Sequence, residues 1–184
     1  LMNSLLKFFV IEHFSTVDNI TYYQNSENKL FELPVGAHLK YNGAFGITKD
    51  LLANIHPKLE EYVPSHHAVY IGNNNIIHYN GGHNTNDPRD ASVVCDSLDN
   101  FTQSAKFRNS PIFCHIHQDA DDSQTIKERS LKMIGKKNYN ILSNNCEHLV
   151  NYCITGEKKC YQTEKILQDT LHSSLKYLMN KFIT

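Results

Sequence analysis

The sequence predicts an α+β domain in which a small antiparallel sheet packs against helices. Strand-like runs fill the middle of the chain, and helix-like runs lie before and after Cys146. The clearest local signal is a hairpin formed by the runs at 67–71 and 75–79. A Gly-Asn-Asn sequence at 72–74 separates these runs, and both residue types tolerate the positive φ of a tight turn. Since the chain has 184 residues, one domain of ordinary size accounts for it.

The composition is that of a globular protein, with 40% apolar and 20% charged residues. A net charge of −1 without a long Lys/Arg block gives no basis for a nucleic-acid partner. The five cysteines form no CxxC pair, which disfavours a disulfide framework or a four-cysteine zinc site. We therefore expect reduced thiols, a cytoplasmic location and no cofactor. The composition does not specify an oligomeric state.

We expect no transmembrane helix in this sequence and no signal peptide in its first residues. No apolar run reaches the roughly 18–20 residues of a transmembrane helix. The apolar start contains Lys7 and Glu12 and lacks the order and cleavage site of a signal peptide. A first residue of leucine is what a fragment of a longer protein would show.

Further elements follow from local pattern and turn chemistry. Strands are predicted in the turn-strand unit at 33–41 and in the runs at 91–95 and 111–117. The predicted helical pieces are a turn at 97–101 capped by Asp96 or Ser97, a helix at 123–134 ended by Gly135, and an amphipathic helix at 163–183.

The most informative stretch is LSNNCEHLVN at 142–151, where one cysteine follows two asparagines. Asn144 or Asn145 is a good N-cap, so Cys146 is predicted in the first turn of a helix. Unpaired backbone N–H groups and the positive end of the helix dipole act on a thiol there. Both effects favour the thiolate, which is the form of cysteine that attacks carbonyl carbons.

A cysteine nucleophile needs a base, and the candidates lie on the predicted hairpin. His66 and His78 are twelve residues apart with the turn between them, so we expect them to lie nearly opposite each other on one face. His67 then faces the other way, as a structural or rim residue. A histidine in a strand is more often packed or exposed than catalytic, so spacing alone leaves both interpretations open.

Two segments carry a specific resemblance. HHAVYIGNNNIIHYNGG at 66–82 and YNILSNNCEHLVNYCITGE at 139–157 resemble the lecithin:retinol acyltransferase (LRAT) domain, a branch of the NlpC/P60 superfamily with a permuted papain-like arrangement. The specific motifs are the histidine block with its twelve-residue step and the NCEH signature. The G-A-H-L sequence at 36–39 resembles a further motif, in which Ala37 replaces the usual Asp. The resemblance predicts an N-terminal extension at 1–32, a catalytic domain at 33–162 and a C-terminal amphipathic helix at 163–184.

The resemblance implies an enzyme with Cys146 as nucleophile, His66 as general base and acid, and His78 as the residue that orients His66. It implies a cysteine-dependent acyltransferase or phospholipase A that acts on a phospholipid or another acyl ester through a thioester. The residues expected to support the site are Asn145, Glu147 and His148. Asn145 either caps the helix or lends a polar group near the oxyanion position.

Two rival functions remain open at this point. The same triad serves an amide hydrolase of the wider NlpC/P60 class, such as a peptidase or deamidase. A non-catalytic regulator is the other alternative.

The tail helix either packs on its own domain, which we favour, or lies on a membrane surface.

His115 and His117 share a face of the strand predicted at 111–117, which raises the question of a metal. A zinc site needs three or four ligands, and no partner pair is evident in the sequence. We therefore expect no metal site, and solvated histidines on this strand.

Overall fold

The computed structural model describes residues 8–43, 65–81, 90–140, 143–161, 163–165, 167–169 and 171. Three features that the sequence predicts lie wholly or mostly outside these residues: a connection at 42–64, a loop at 80–90 after the hairpin, and the part of the tail helix beyond residue 171.

The described residues form nine strands and three helices longer than one turn that are bounded on both sides. The strands are β1 (Phe9–Ile11), β2 (His13–Val17), β3 (Ile20–Gln24), β4 (Leu30–Glu32), β5 (His38–Asn42), β6 (Ser65–Gly72), β7 (Asn75–Asn80), β8 (Ser92–Ser97) and β9 (Ile112–His115). The helices are α1 (Leu98–Phe107), α2 (Ser123–Met133) and α3 (Cys146–Thr155). The predicted α+β class with an antiparallel sheet is confirmed.

The main sheet has six strands in the order β1-β9-β5-β6-β7-β8, and every neighbouring pair is antiparallel. Strands β2, β3 and β4 form a separate meander. β6 therefore lies in the interior of the main sheet, with both of its edges paired over most of its length. This strand carries His66 and His67 on opposite faces.

Each face of the main sheet has its own apolar core. One core contains Ala68, Tyr70 and Ile76 from the sheet and Phe101 from α1. The other core contains Val69, Ile77, Tyr79, Leu149, Val150 and Ile154, so α3 covers the opposite face. The sheet thus lies between α1 on one side and α2 with α3 on the other.

The helix after β8 is longer than the sequence predicts. Ser97 caps it by accepting a hydrogen bond from the backbone N–H of Asn100, and the helix continues to Phe107 instead of ending near Phe101. The reason is its buried face, because Leu98, Phe101 and Ala105 recur at helical spacing against the sheet.

The hairpin between β6 and β7 is confirmed, and its turn residues Asn73 and Asn74 have φ values of 50° and 61°. Its pairing is not regular. Gly72 pairs with Asn75, but Tyr70 pairs with Ile76, so β6 contains one extra residue at this point. This bulge shifts the rest of the ladder by one residue and brings Ala68 opposite His78.

The N-terminal segment contributes to the main sheet, although the sequence resemblance does not extend to it. Ile11 of β1 pairs with Ile112 of β9 at the sheet edge and is buried. Phe14 and Tyr23 of the meander pack on the core beneath α1. We retain 33–162 as the proposed catalytic domain, with 1–32 as an extension that completes its edge.

The start of the tail is helical in the described residues 161, 163–165, 167–169 and 171. Thr163 is buried, whereas Leu167 and Leu171 are 61% and 62% exposed. These two residues of the apolar stripe are therefore largely exposed, and the rest of the predicted packing face lies outside the described residues. Among the described helices, none combines the length and hydropathy of a membrane span.

Candidate functional site

The cysteine signature forms the beginning of α3, as predicted. The Asn145 side chain accepts hydrogen bonds from the backbone N–H groups of Glu147 and His148, at 3.0 and 3.1 Å. The His148 ring contacts Asn145 in return, which completes a capping box. Asn145 thus uses its carboxamide oxygen to cap the helix, the first of its two expected roles. Cys146 is the first residue of the helix.

The thiol of Cys146 lies beside the backbone of β6. Its Sγ is 3.4 Å from the carbonyl oxygen of Ser65, and the backbone N–H of His67 donates to it. The last pair in the described ladder between β6 and β7 is Ala68 with His78. The Ser65 carbonyl and the His67 N–H, on either side of His66, would bond β7 if the ladder continued by one more pair. The thiol of Cys146 contacts these two groups instead.

The thiol is buried, with only 4% of Cys146 exposed. Burial raises the pKa of Cys146 to about 12 and outweighs the backbone N–H bonds that lower it. Its neighbours Glu147 and Cys160 raise the pKa further. This finding differs from the expected thiolate, because the free-energy cost of burying the charged thiolate exceeds the stabilisation that the start of the helix gives it. The resting thiol is protonated.

His66 and His78 are directly hydrogen-bonded. Nε2 of His66 lies 2.7 Å from Nδ1 of His78, and the ring centroids are 5.0 Å apart. The two residues share a face, as expected, but they are not opposite each other. His78 pairs with Ala68, so His66 is its diagonal neighbour two residues along the strand.

Aromatic rings surround this histidine pair. The Tyr41 ring lies 5.2 Å from the His66 ring, and the Phe101 ring lies 5.8 Å from it. Burial lowers the pKa of His66 well below its ordinary value, and the neighbouring His78 lowers it further. Burial likewise lowers the pKa of His78 to about 4. Both rings are therefore neutral near pH 7. A neutral imidazole carries a proton on only one of its two ring nitrogens.

The structure does not join all three residues directly. The histidine pair lies on the face that α1 covers, whereas α3 covers the opposite face. Within the described residues, Cys146 Sγ has no hydrogen bond to either histidine. The thiol instead reaches the opening where β6 and β7 separate, next to the main chain of His66.

Asp96, which the sequence predicts only as a possible helix cap, lies beside the histidine pair. Its Oδ2 lies 3.6 Å from Nε2 of His78. Asp96 pairs with Ile76 in the ladder between β7 and β8, so it is the diagonal neighbour of His78 on the same face. Asp96 is two residues from Val94, which pairs with His78. This proximity becomes visible only when the pairing of β7 with β8 is known.

A second histidine chain lies on the other face of β6. Nδ1 of His67 is 2.7 Å from Nε2 of His38, and Nδ1 of His38 is 3.1 Å from Nε2 of His117. His67 is therefore structural and not a rim residue. The expectation of solvated histidines is wrong for His117, which is only 8% exposed and whose ring stacks on that of His38.

These histidines do not converge on one point. In the part of the chain that the structure describes, no group of three or more His, Cys, Asp or Glu side chains is arranged to hold a metal ion.

Glu147 anchors the segment that follows α3. This carboxylate is 2% exposed, and it accepts hydrogen bonds from the Cys160 thiol at 3.1 Å and the Tyr161 N–H at 3.0 Å. The Asn145 carboxamide donates to Cys160 Sγ at 3.2 Å. Two residues of the NCEH signature thus bind the segment at 160–161 to the start of α3.

Comparisons with known proteins agree with these motifs. A family model described as Lecithin retinol acyltransferase matches residues 53–159, which are 107 of the 184 residues. Lecithin retinol acyltransferase of Bos taurus is 28% identical over 81 residues, covering 44% of this chain and 35% of that protein. The protein of the same name from Homo sapiens is 28% identical over 78 residues, covering 42% and 34%.

The matched segment spans about a third of the length of these two relatives. No solved structure matches the chain significantly. The family model covers more than half of the chain, and it includes the hairpin histidines and the NCEH signature. The chain therefore belongs to the lecithin retinol acyltransferase family.

Proposed function

We propose that this chain is a cysteine-dependent acyltransferase or phospholipase A that takes an acyl group from a phospholipid or another acyl ester. Membership of the acyltransferase family supports this function. The single observation that carries it is the position of Cys146 Sγ, between the Ser65 carbonyl and the His67 N–H. These two groups flank His66, whose ring is already paired with His78.

In the proposed mechanism the site rests as a neutral thiol and two neutral imidazoles. The Cys146 proton passes to Nδ1 of His66 as the sulfur attacks the ester carbonyl carbon. The backbone N–H of Cys146 is the proposed donor to the oxyanion. The carbon–oxygen bond of the ester then breaks, and the leaving oxygen takes the proton from His66. A thioester on Cys146 remains.

The second half of the reaction reverses these roles. Nδ1 of His66 takes a proton from water or from an acceptor hydroxyl or amine, whose oxygen or nitrogen attacks the thioester carbonyl. The carbon–sulfur bond breaks and the thiol regains its proton from His66. Water gives a free fatty acid, and an acceptor gives an acylated product. His78 keeps the His66 ring oriented through both halves.

This mechanism implies further proposals about architecture and location. A cysteine at a helix start that faces a strand histidine fits a permuted papain-like arrangement of the NlpC/P60 type. An acyl ester of a phospholipid is presented at a lipid surface, so we propose a cytoplasmic protein with peripheral membrane contact.

The test is mass spectrometry of the intact protein after brief exposure to a phospholipid with two different acyl chains. We expect one added acyl mass on the wild type, and none on Cys146→Ala. Cys153→Ala is the matched control, since Cys153 is a buried thiol on the same helix face and should leave the adduct intact. Release of lysolipid should accompany the adduct.

A non-catalytic regulator is the second candidate, because the thiol is buried and its pKa is raised to about 12. No adduct, no lipid turnover and alkylation of Cys146 no faster than that of Cys153 would establish this alternative. Rapid alkylation of Cys146 without lipid turnover would instead point to the amide hydrolase, tested by release of amine from acyl amides.

A further inference from the structure

The hydrogen-bonded histidine pair ends at a carboxylate. His78 uses Nδ1 for His66, and its other ring nitrogen, Nε2, is buried without a hydrogen-bond partner at normal distance. The group that faces this nitrogen is Oδ2 of Asp96, at 3.6 Å. His78 is 8% exposed and Asp96 is 24% exposed by side chain, so solvent screens this pair only partly.

The carboxylate is itself held in place. Oδ1 of Asp96 accepts hydrogen bonds from the backbone N–H of Ser97 and from the Asn100 carboxamide, both at 2.7 Å. Ser97 is the N-cap of α1 and Asn100 lies in its first turn. Two bonds on Oδ1 fix the rotation of the carboxylate, which leaves Oδ2 directed at His78.

We infer that Asp96 is a positioning residue that sets the tautomers of both site histidines and so leaves Nδ1 of His66 able to take the thiol proton. A neutral imidazole has one protonated nitrogen and one bare nitrogen. A carboxylate accepts hydrogen bonds and repels a bare lone pair, so it favours the tautomer of His78 with the proton on Nε2. Nδ1 of His78 is then bare.

The tautomer of His66 follows from that of His78. A bare Nδ1 on His78 accepts the 2.7 Å hydrogen bond, so the proton in this bond belongs to Nε2 of His66. Nδ1 of His66 is then the bare nitrogen, which is what a base for Cys146 requires. In the opposite arrangement, His78 donates from Nδ1, and His66 carries its proton on the nitrogen that must accept one.

Strand pairing places His66, His78 and Asp96 on one face of the sheet. Asp96 and His78 are diagonal neighbours across β7 and β8, as His66 and His78 are across β6 and β7. The four groups Cys146, His66, His78 and Asp96 thus form a series across three adjacent strands and one helix start. The role of Asp96 in turnover rests on the proposed function, whereas its control of tautomers does not.

The direct test is long-range ¹H–¹⁵N correlation NMR on protein with ¹⁵N-labelled histidine near pH 7.5. Resonances are assigned with His66→Gln and His78→Gln. We expect both histidines of the wild type to be protonated on Nε2 and bare on Nδ1. In Asp96→Asn we expect His78 to populate both tautomers, since an amide offers either a donor or an acceptor.

The kinetic test compares Asp96→Asn with Asp99→Asn, an exposed carboxylate in the first turn of the same helix that bonds Asn74. Because general base catalysis contributes roughly 10²–10⁴-fold, we expect Asp96→Asn to slow acyl-enzyme formation by at least about tenfold with KM unchanged. Asp96→Glu should recover part of the rate. Asp99→Asn should behave as wild type.

Protonation of Nδ1 on either histidine of the wild type would overturn the inference, and this result does not depend on the folding of Asp96→Asn. Equal tautomers and equal rates in Asp96→Asn and Asp99→Asn would overturn it as well. If the wild type shows the expected tautomers but forms no acyl adduct, the proposed function fails and the role of Asp96 in the histidine pair stands.

Discussion

Nε2 of His66 lies 2.7 Å from Nδ1 of His78 because β6 carries one extra residue between Tyr70 and Gly72. In a regular hairpin that starts from the pair Gly72 and Asn75, His78 would lie opposite Val69. The side chains of His78 and His67 would then share a face, and His66 would point away. The bulge therefore selects which of two adjacent histidines meets His78.

The two adjacent histidines should respond differently to the same substitution. His66→Gln removes the proposed base while keeping a donor for His78, so we expect acyl-enzyme formation to fall by roughly 10²–10⁴-fold. His67→Gln removes a ring bonded to His38 and leaves the backbone N–H that contacts the thiol. We expect it to lower the free energy of unfolding by about 1–3 kcal/mol and to leave the rate near that of the wild type.

The comparison uses intact-protein mass spectrometry for the rate and urea unfolding for stability. The interpretation is wrong if His67→Gln loses the rate while His66→Gln retains it, since that would make the histidine on the α3 face the base.

The alkylation rate of Cys146 should depend steeply on pH. The thiolate is the reactive form, and burial raises the pKa of Cys146 to about 12. The thiolate fraction therefore rises about tenfold per pH unit from pH 7 to pH 10, and the rate with iodoacetamide should follow it without a plateau. Cys95→Ser removes the exposed thiol from the background, and Cys146→Ala gives the residual rate.

A plateau below pH 8 would contradict this expectation. It would mean that the thiolate and a protonated His66 form a stable ion pair at rest.

The fold should lose stability in mild acid. Burial lowers the pKa of His38, His66 and His67 well below the ordinary imidazole value. Near pH 6.5 the unfolded chain begins to bind protons that the folded chain does not bind. The stability is therefore fully present above about pH 6.5 and falls with pH below it, by about 1.4 kcal/mol per pH unit for each such histidine.

Urea unfolding at pH 7.5, 6.0 and 5.0 measures this slope. His38→Asn should reduce the dependence of the unfolding free energy on pH by the contribution of one histidine. This holds even if the variant is less stable than the wild type at pH 7.5. His13→Asn is the control, because His13 is exposed on β2 and should leave the slope unchanged. Equal slopes in the wild type, His38→Asn and His13→Asn would exclude a buried neutral His38 as a cause of the slope.

Gly36 should resist substitution for two independent reasons. Its φ is +91°, and a Cβ there would lie 2.8 Å from Cδ1 of Ile126 on α2. We expect Gly36→Ala to destabilise the fold by about 1–3 kcal/mol through backbone strain, measured as a lower urea midpoint. Gly81→Ala is the matched control, since a Cβ at Gly81 meets nothing within 4 Å. Adding Ile126→Val removes the Cδ1 atom that the new Cβ would contact. It should therefore recover the stability lost to this contact but not the stability lost to backbone strain.

The parts of the fold that depend on local chemistry are predictable from the sequence. The Asn73–Asn74 turn, the Asn145 cap and the glycine end of α3 at Gly156 each follow from φ preferences and capping groups within a few residues. His66 and His78 were also assigned to one face correctly. That assignment comes from the twelve-residue spacing in the hairpin, and it holds because of the bulge, since a regular two-residue turn would separate the two side chains.

The features that the sequence does not predict depend on distant pairings. Asp96 meets His78 through the register of β7 with β8, and His117 meets His38 through the pairing of β9 with β5. No local pattern encodes either pairing. The protonated thiol was missed for a similar reason, since the pKa of Cys146 depends on burial that only the packed structure defines.

The bulge in β6 has a consequence for how related sequences are compared. A homologue that kept every residue of this hairpin but paired its two strands without the bulge would still align with this chain at every motif letter, including both histidines and the NCEH signature. Its strand would nevertheless present the neighbouring side chain to His78. Identical letters at these positions are therefore not sufficient evidence of an active enzyme, and the pairing of the two strands has to be checked before an alignment is used to transfer activity.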